Sequence, residues 1–478
     1  MGRFLKLVKN EYIKILHRIS TWIMLGLIVL SALGLNLVFL FAQNQMRQYN
    51  QQYSQTTYKE GMYDSDISYQ KDTKPEGYQQ QIENLEFLRD NKIPQSDWRF
   101  GAAGEMADIK TQIASASSSG LDAKSLENLN KAAQDYKNAI LANNWEEYYR
   151  LKISQIDAGN ASSDQKMTSN DKDTQKWQYQ YSLEHKIKPD YSDWKSNLVS
   201  EVARLKTQAA SAKAQQESGT SVDTANLTKT NDQIQTDMYR LEHNIPVDIA
   251  SAGMMNGQSK MGFWDVFSTS GKLITIISLL IIVIAGSCVA NEFSSGTIKF
   301  LLINPVKRGK ILLSKYAMVL SLAYLMLILF FGLNILFGII FCGTGDLGTP
   351  YVYLSGGSVH SISGFAYIAW NYLLASVDIL VMATLAFAIS ALLRSSALAI
   401  GVSVFAMLGG KTLILFLKSA LNLDWARYFI FANTDLSSIV DGTSQFAHQS
   451  VSFALIIVAI HLFVFLLTAW DGFVRREV

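Results

Sequence analysis

Six apolar stretches punctuate the chain: Trp22–Ala42, Leu273–Ala290, Ile311–Phe341, Phe365–Leu393, Ala397–Leu417 and Val451–Trp470. Each reaches, or nearly reaches, the ~20 residues a helix needs to cross a hydrocarbon core about 30 Å thick. Buried helices of soluble proteins are seldom so long and so free of charge, so the pattern predicts six transmembrane helices. Between the first two lies a long polar stretch, rich in Gln, Asn, Ser, Lys and Glu and poor in Pro and Gly. That composition favours helices joined by polar loops over a sheet. The expected fold class is an all-α polytopic membrane protein, with six transmembrane helices and an α-helical extracellular domain containing an internal repeat.

The expected boundaries are 1–20 for a cytoplasmic amphipathic helix, 21–42 for the first span, 43–271 for the extracellular domain, and 272–478 for the second to sixth spans. In the opening helix Phe4, Val8, Tyr12, Ile15 and Ile19 share one face, and Lys6, Lys9 and Lys14 lie largely opposite. Such a helix lies in the inner membrane surface with its cations toward anionic headgroups, which makes Lys6, Lys9, Tyr12 and Lys14 candidate membrane-surface residues. An ordinary cytosolic amphipathic helix is the other reading; the span that follows at once disfavours it.

The repeat shows in "SDW" at Ser96–Trp98, which recurs at Ser192–Trp194. At the same shift Glu105 meets Glu201, Lys110–Gln112 meets Lys206–Gln208, and Ala114–Ala116 meets Ala210–Ala212. The units run about 84–117 and 180–213. Three helix stops also resemble one another: "FLRDNKIP" (87–94), "YSLEHKIKP" (181–189) and "YRLEHNIP" (239–246), each broken just before or at a proline. Chance similarity in a polar, low-complexity sequence is the rival explanation, and the constant shift argues against it.

Charge sets the expected orientation. Residues 43–271 carry 25 Lys/Arg and 31 Asp/Glu, a mild acidic excess, which leaves the rest of the chain basic. Arg3, Lys6, Lys9, Lys14 and Arg18 precede the first span. Lys299, Lys307, Arg308, Lys310 and Lys315 surround the loop after the second, Arg394 follows the fourth, and Arg475 and Arg476 follow the sixth. With six spans all of these fall on one side, which the positive-inside rule makes the cytoplasm. Both termini are then inside, residues 43–271 are outside, and the chain sits in the plasma membrane. The first apolar run is too long for a cleaved signal peptide and lacks a small-residue cleavage site. Cys288 and Cys342 are the only cysteines, so the extracellular domain has no disulfide, which fits a Gram-positive surface or any lineage that does not rely on oxidative folding.

The largest cytoplasmic loop reads "NEFSSGTIKFLLINPVKRGKILLSKY" (291–316). Ser294 or Ser295 can cap a short helix, Gly296 permits a sharp turn, Ile298, Leu301 and Leu302 share a face, and Pro305 ends it. A short rigid helix here, about 292–310, offers an apolar knob to a cytosolic machine; a plain basic loop on lipid is the alternative. The pattern Glu292, Gly296, Thr297, Leu301, Pro305, Arg308, Ile311, Leu312, Ser314 and Lys315 resembles the coupling-helix region of type-2 ABC exporter permeases. The opening "LVKNEYIKIL" is similar to that family's basic connecting helix, and the six-span plan with an insert after the first span is similar too. The resemblance covers the first ~42 residues and 272–478, and leaves out the extracellular domain, which is large for that family. It implies ATPase-coupling roles for Glu292, Gly296, Thr297, Leu301, Pro305 and Arg308. It also implies two cytosolic ABC ATPase subunits binding ATP and Mg, and a second permease copy or a homologous permease.

The chain itself lacks the motifs of an ATPase. In "FAMLGGKT" (405–412) Phe405 stands where a phosphate loop needs glycine, and the stretch lies in a span. No zinc-protease motif or catalytic triad stands out, the histidines are scattered, and no cofactor, metal or nucleic acid is expected. Polar residues inside spans are Asn334, Asn371, Asp378, Lys411 and His461, candidates for a substrate pathway. The structural alternatives are pairing of Asp378 with a neighbouring helix, snorkelling of Lys411 to the outer surface and hydrogen-bonded packing of His461. Two function classes remain. One is the permease of an ATP-driven exporter of an amphipathic or hydrophobic substrate: a peptide antibiotic, a lipid-linked molecule or a drug. The other is an ATP-driven signalling protein whose extracellular domain senses antimicrobials or controls a cell-wall enzyme without transport.

Overall fold

The computed structural model describes residues 2–53, 57–75, 77–115, 122–157, 169–190, 192–219, 221–249, 262–296, 306–393, 395–440, 444, 446 and 449–475. Thr297, Leu301, Pro305 and Arg394, singled out above, lie outside the described residues. The chain divides into two units. One is Met1–Phe41, Ile249–Tyr351 and Ile362–Val478; the other is Ala42–Asp248 with Val352–Ser361.

Among the described residues six helices are long and apolar enough to cross a membrane: Ile19–Gln45, Phe263–Ser294, Arg308–Cys342, Gly364–Leu393, Ser396–Ser419 and Val451–Arg475. The chain is a multi-pass membrane protein. The second and fourth spans are 67% and 61% buried inside the molecule, the other four only 11–28%. The second and fourth therefore form the centre, and the remaining spans present apolar faces outward. The close approach of the second and fifth spans depends on Gly286, where an added Cβ would sit 2.9 Å from the Ile400 side chain.

The second span is broken near one end into Ile274–Cys288 and Ala290–Ser294, with Val289 between them. A break strands backbone N–H groups that need partners. The Ser390 hydroxyl, on the fourth span, accepts from Val289 N–H at 3.3 Å and Ala290 N–H at 3.0 Å. The other end of the same span begins at Phe263 with an aromatic face. Phe263, Trp264 and Phe267, for which the sequence suggests the outer membrane interface, are all at most 1% exposed and so packed within the protein. They pack with Phe365, Phe331 and Tyr372, and the Trp264 indole donates to the Asp346 carbonyl at 2.6 Å. Glycines at 338 and 364 leave room for the rings of Phe263 and Trp264.

Two local features differ from an all-helical expectation. Strands Pro350–Ser355 and Ser358–Ser363 pair as a hairpin whose Gly356 and Gly357 both take positive φ, the conformation a two-residue turn requires. The segment after the fifth span forms two 3-10 turns, Asp424–Tyr428 and Ile430–Ala432, and a short helix Leu436–Val440. Fully buried Asn433 holds it, donating at 2.8 Å to the carbonyls of Arg427 and Phe429.

Among its described residues the second unit has two apolar cores. Tyr63, Leu88, Trp98, Met106, Tyr136 and Tyr148 belong to one, and Tyr181, Val199, Val202 and Leu241 to the other. The two Ser-Asp-Trp sites have the same local geometry. Asp97 and Asp193 are N-caps, accepting from Arg99 N–H at 3.0 Å and Ser196 N–H at 3.3 Å, and the tryptophan opens the helix. Behind them Ala102, Ala103, Met106, Ala107 and Ile109 are buried, as are Leu198, Val199, Val202, Ala203 and Leu205 at the same offset. The three helix stops also share a geometry. Lys92, Lys186 and Asn244 take φ of 52°, 53° and 55°. The next residue, an isoleucine each time, donates its N–H to the carbonyl of Leu88, Ser182 and Arg240 respectively. This is the Schellman closure, which satisfies carbonyls a helix end would leave bare.

Within this unit Asp237 and Arg240, 3% and 6% exposed, form an ion pair at 2.8 Å. Burial pushes the Asp237 carboxyl up to about 6, against the opposing pull of the Arg240 guanidinium. The folded state then holds that proton more tightly than the unfolded chain. The contribution is fully present below the unfolded value near 4 and is lost as pH rises through 6. Melting of the full-length protein between pH 4 and 7 should therefore show a declining component that Asp237→Asn removes, even though the substitution lowers overall stability. An unchanged slope in that variant would assign the pH dependence elsewhere.

Candidate functional site

The opening helix, Gly2–Leu16, carries a single acid, Glu11, and that acid falls on its apolar face, one helical step from both Val8 and Ile15. The third span begins at Arg308 with a buried stripe of Ile311, Leu312, Met318 and Val319, and Lys315 falls in the middle of it. Glu292 lies in the short helix that ends the second span. The fold brings all three together. Lys315 Nζ donates to Glu292 Oε1 at 2.6 Å and to Glu11 Oε2 at 2.8 Å. Lys14 Nζ closes the group at 3.3 Å from Glu11 Oε1 and 3.3 Å from Glu292 Oε1. Lys315 is 1% exposed, and Glu11 and Glu292 are each 7% exposed.

Two carboxylates thus face two ammonium groups, and the cluster is neutral. Lone charges at that burial would be costly, and a pair removed from water needs good geometry to break even. The cluster spans three elements and brackets 297–305, with Glu292 just before that segment and Lys315 just after it. A second tie runs alongside, from the Tyr12 hydroxyl to Ser321 Oγ at 2.7 Å. Gly296 takes φ of +69° at the end of the short helix, the left-handed conformation that glycine adopts without strain. Asn291 is held by the Ser396 hydroxyl from the fifth span. At Gly309, an added Cβ would fall 2.2 Å from the Trp470 ring, so the start of the third span lies directly on the sixth.

The other expected site residues divide. Lys14 joins the cluster and Tyr12 bonds the third span, whereas Lys6 and Lys9 are exposed with no ion pair among the described residues. Arg308 opens the third span. Asp378 and Lys411 come together, with Lys411 Nζ 3.2 Å from Asp378 Oδ1 while Ser278 donates to Asp378 Oδ2 at 3.2 Å. Lys411 thus has a carboxylate partner inside the bundle, although its side chain remains 46% exposed. Both residues lie 15 positions from the turn joining the fourth and fifth spans, which puts them at one depth. Asn334 is fully buried and turns back on its own helix, donating to the Phe330 carbonyl at 2.8 Å. His461 likewise donates through Nδ1 to the Ile457 carbonyl at 2.8 Å. Asn371 is half-buried. No hydrogen bond links these three to one another, and no cluster of metal-ligating side chains occurs, among the described residues.

Sequence reasoning gives Glu11 no role, and it names Lys315 only within the resemblance pattern and among the cations around the loop. The signal was present: an acid on the apolar face of a basic helix, and a lysine inside a buried stripe.

Residues 237–478 match the family described as "Protein of unknown function (DUF2705)". The chain is 38% identical over 242 residues to "Uncharacterized protein YhcI" of Bacillus subtilis (strain 168), a match covering 50% of this chain and 74% of that protein. It is 33% identical over 217 residues to "Uncharacterized membrane protein YdbK" of the same organism, covering 45% and 83%. The family match contains Glu292, Lys315, Asp378 and Lys411 and begins far beyond Glu11.

If the cluster acts as one unit, its members are coupled. Lys315→Met leaves two buried carboxylates facing each other and should destabilise the protein by about 3–5 kcal/mol. Adding Glu11→Gln to that background should cost much less than it does alone, giving a coupling of about 0.5–3 kcal/mol in thermal unfolding of the purified protein. Additive losses would show that the charges act separately.

Proposed function

As the chain belongs to the DUF2705 family, whose description names no activity, we propose from its own residues that it is the membrane-spanning permease subunit of an ATP-driven exporter. The observation that carries this reading is the cluster of Lys315 with Glu11 and Glu292. A push on segment 297–305 has two outlets, the broken end of the second span and the start of the third. The cluster ties both to the opening helix, so the three elements move as one body. A loop that merely joined two spans would have no need of a buried, charge-neutral brace at its root. ATP hydrolysis takes place in two cytosolic ABC ATPase subunits, and 292–310 receives their stroke. Both termini lie in the cytoplasm, residues 43–271 are extracellular, and the permease works with a second copy or a homologous partner.

The substrate class is amphipathic or hydrophobic, since the outward faces of the first, fifth and sixth spans carry mostly large apolar side chains. In this reading the extracellular domain is a duplicated helical unit, supported by the shared caps, helix stops and buried positions at 97–109 and 193–205. Its two apolar cores also suit the second reading, in which the ATP-driven motion is delivered to an extracellular partner and nothing is transported.

Affinity purification of the tagged chain from its native membrane should bring down an ATP-binding-cassette ATPase. Leu301→Asp with Pro305→Asp should abolish the stimulated ATP hydrolysis of that complex. Retrieval of the chain without such an ATPase, or cleavage of 297–305 by protease added outside intact cells, rejects the proposal. Deleting 51–249 then separates the two readings: substrate binding survives under transport, whereas all output is lost under signalling.

A further inference from the structure

A cavity of about 270 Å³ opens where the opening helix turns into the first span. Ile15, Arg18, Ser20, Thr21 and Met24 line it from that side, and Val283, Ile284, Ser287 and Asn291 from the second span. Its polarity is graded. Arg18, Ser20 and Asn291 are at one end. Met24 lies six residues into the first span from Arg18, about 9 Å deeper at the rise of an α-helix. On the second span, Val283 and Ile284 lie about one turn deeper than Ser287. The cavity thus has a polar mouth at the membrane surface and an apolar floor toward the hydrocarbon.

The mouth offers donors. Arg18 has no ion-pair partner and the Ser20 hydroxyl no hydrogen bond among the described residues. Asn291 uses its carbonyl oxygen for Ser396, which leaves its amide N–H groups for a ligand. The Thr21 and Ser287 hydroxyls are committed to the carbonyls of Ile15 and Ile284. Glu11 and Glu292, on the same two helices as the cavity walls, are paired with Lys14 and Lys315, and no carboxylate pairs with Arg18 among the described residues. No carboxylate lines the cavity among the described residues. Arginine with neutral N–H and O–H donors is the chemistry that holds a phosphate group, and basic pockets between spans at a membrane surface take anionic headgroups. The volume lies just below the range of small-molecule pockets, which suits a headgroup and its first carbons rather than a whole lipid.

We propose that this cavity binds the phosphate of an anionic phospholipid, with Arg18, Ser20 and Asn291 on the phosphate and Met24, Val283 and Ile284 against the glycerol and first methylenes. The site requires only that the chain spans a membrane, so it stands or falls apart from the exporter reading. Because its walls belong to the first and second spans, its occupancy fixes their separation one turn from the charge cluster.

The test uses the purified full-length chain in detergent, with phosphatidylglycerol, a phosphate-free diglycosyl diacylglycerol and inorganic phosphate as separate additions. Native mass spectrometry counts retained lipid, and the melting midpoint reports stabilisation. Phosphatidylglycerol should be retained and should raise the midpoint, and the glycolipid should do neither. Arg18→Gln should weaken retention about tenfold or more, while Arg18→Lys keeps part of it. Both variants should melt at the wild-type midpoint without added lipid, which separates loss of the site from loss of the fold. Equal retention of both lipids, or retention unaffected by Arg18→Gln, overturns the proposal. Full stabilisation by millimolar inorganic phosphate alone overturns the lipid assignment in favour of a free ion.

Discussion

Lys315, sealed from solvent between Glu11 and Glu292, constrains everything around it. Each of the three comes from a different element, and none can leave without stranding an opposite charge out of water. Such a cluster contributes little net stability compared with an apolar core of the same shape. Its consequence is registry: the opening helix, the end of the second span and the start of the third meet in one arrangement only. The segment 297–305, carried between two of these elements, inherits that fixed footing.

The same end of the bundle shows how closely the helices pack against that brace. Gly309 lets Trp470 sit on the third span, Gly286 lets Ile400 sit against the second, and Ser390 caps the break at Val289. In a membrane the apolar effect does little to bring helices together, so small residues and a few polar bonds decide where they touch. The opposite end of the second span is held by a different device, a nest of rings around Trp264 and Phe263. Deeper in the bundle, the Asp378–Lys411 pair with Ser278 ties the second, fourth and fifth spans together.

The unit built from Ala42–Asp248 obeys the physics of water instead. Its helices are started by aspartate caps and stopped by left-handed residues ahead of isoleucine, and its interior is filled by aromatic rings. Burial disfavours the phenolate and pushes the hydroxyls of Tyr63, Tyr136, Tyr148 and Tyr179 upward, Tyr63 to about 12. Three of them are also hydrogen-bonded: Tyr63 donates to the Ile93 carbonyl at 2.6 Å, Tyr136 to Gln155 at 2.8 Å and Tyr148 to Glu105 at 3.2 Å.

Local information decided much of this protein. Six long, predominantly apolar runs determined six spans, because a helix in hydrocarbon must satisfy its own backbone and needs about 20 such residues to cross. The helix stops at 92, 186 and 244 and the caps at Asp97 and Asp193 were equally legible, since each depends on a handful of adjacent residues. The Gly-Gly turn of the 350–363 hairpin was also written in the chain, but in a context otherwise helical. Only the tertiary structure decided that Glu11 and Lys315 are buried partners, that Asp378 meets Lys411, and that Phe263 and Trp264 face inward. Periodicity tells which face of a helix a residue occupies. It does not tell which other helix covers that face, and the energy of a charge or a ring depends on that neighbour.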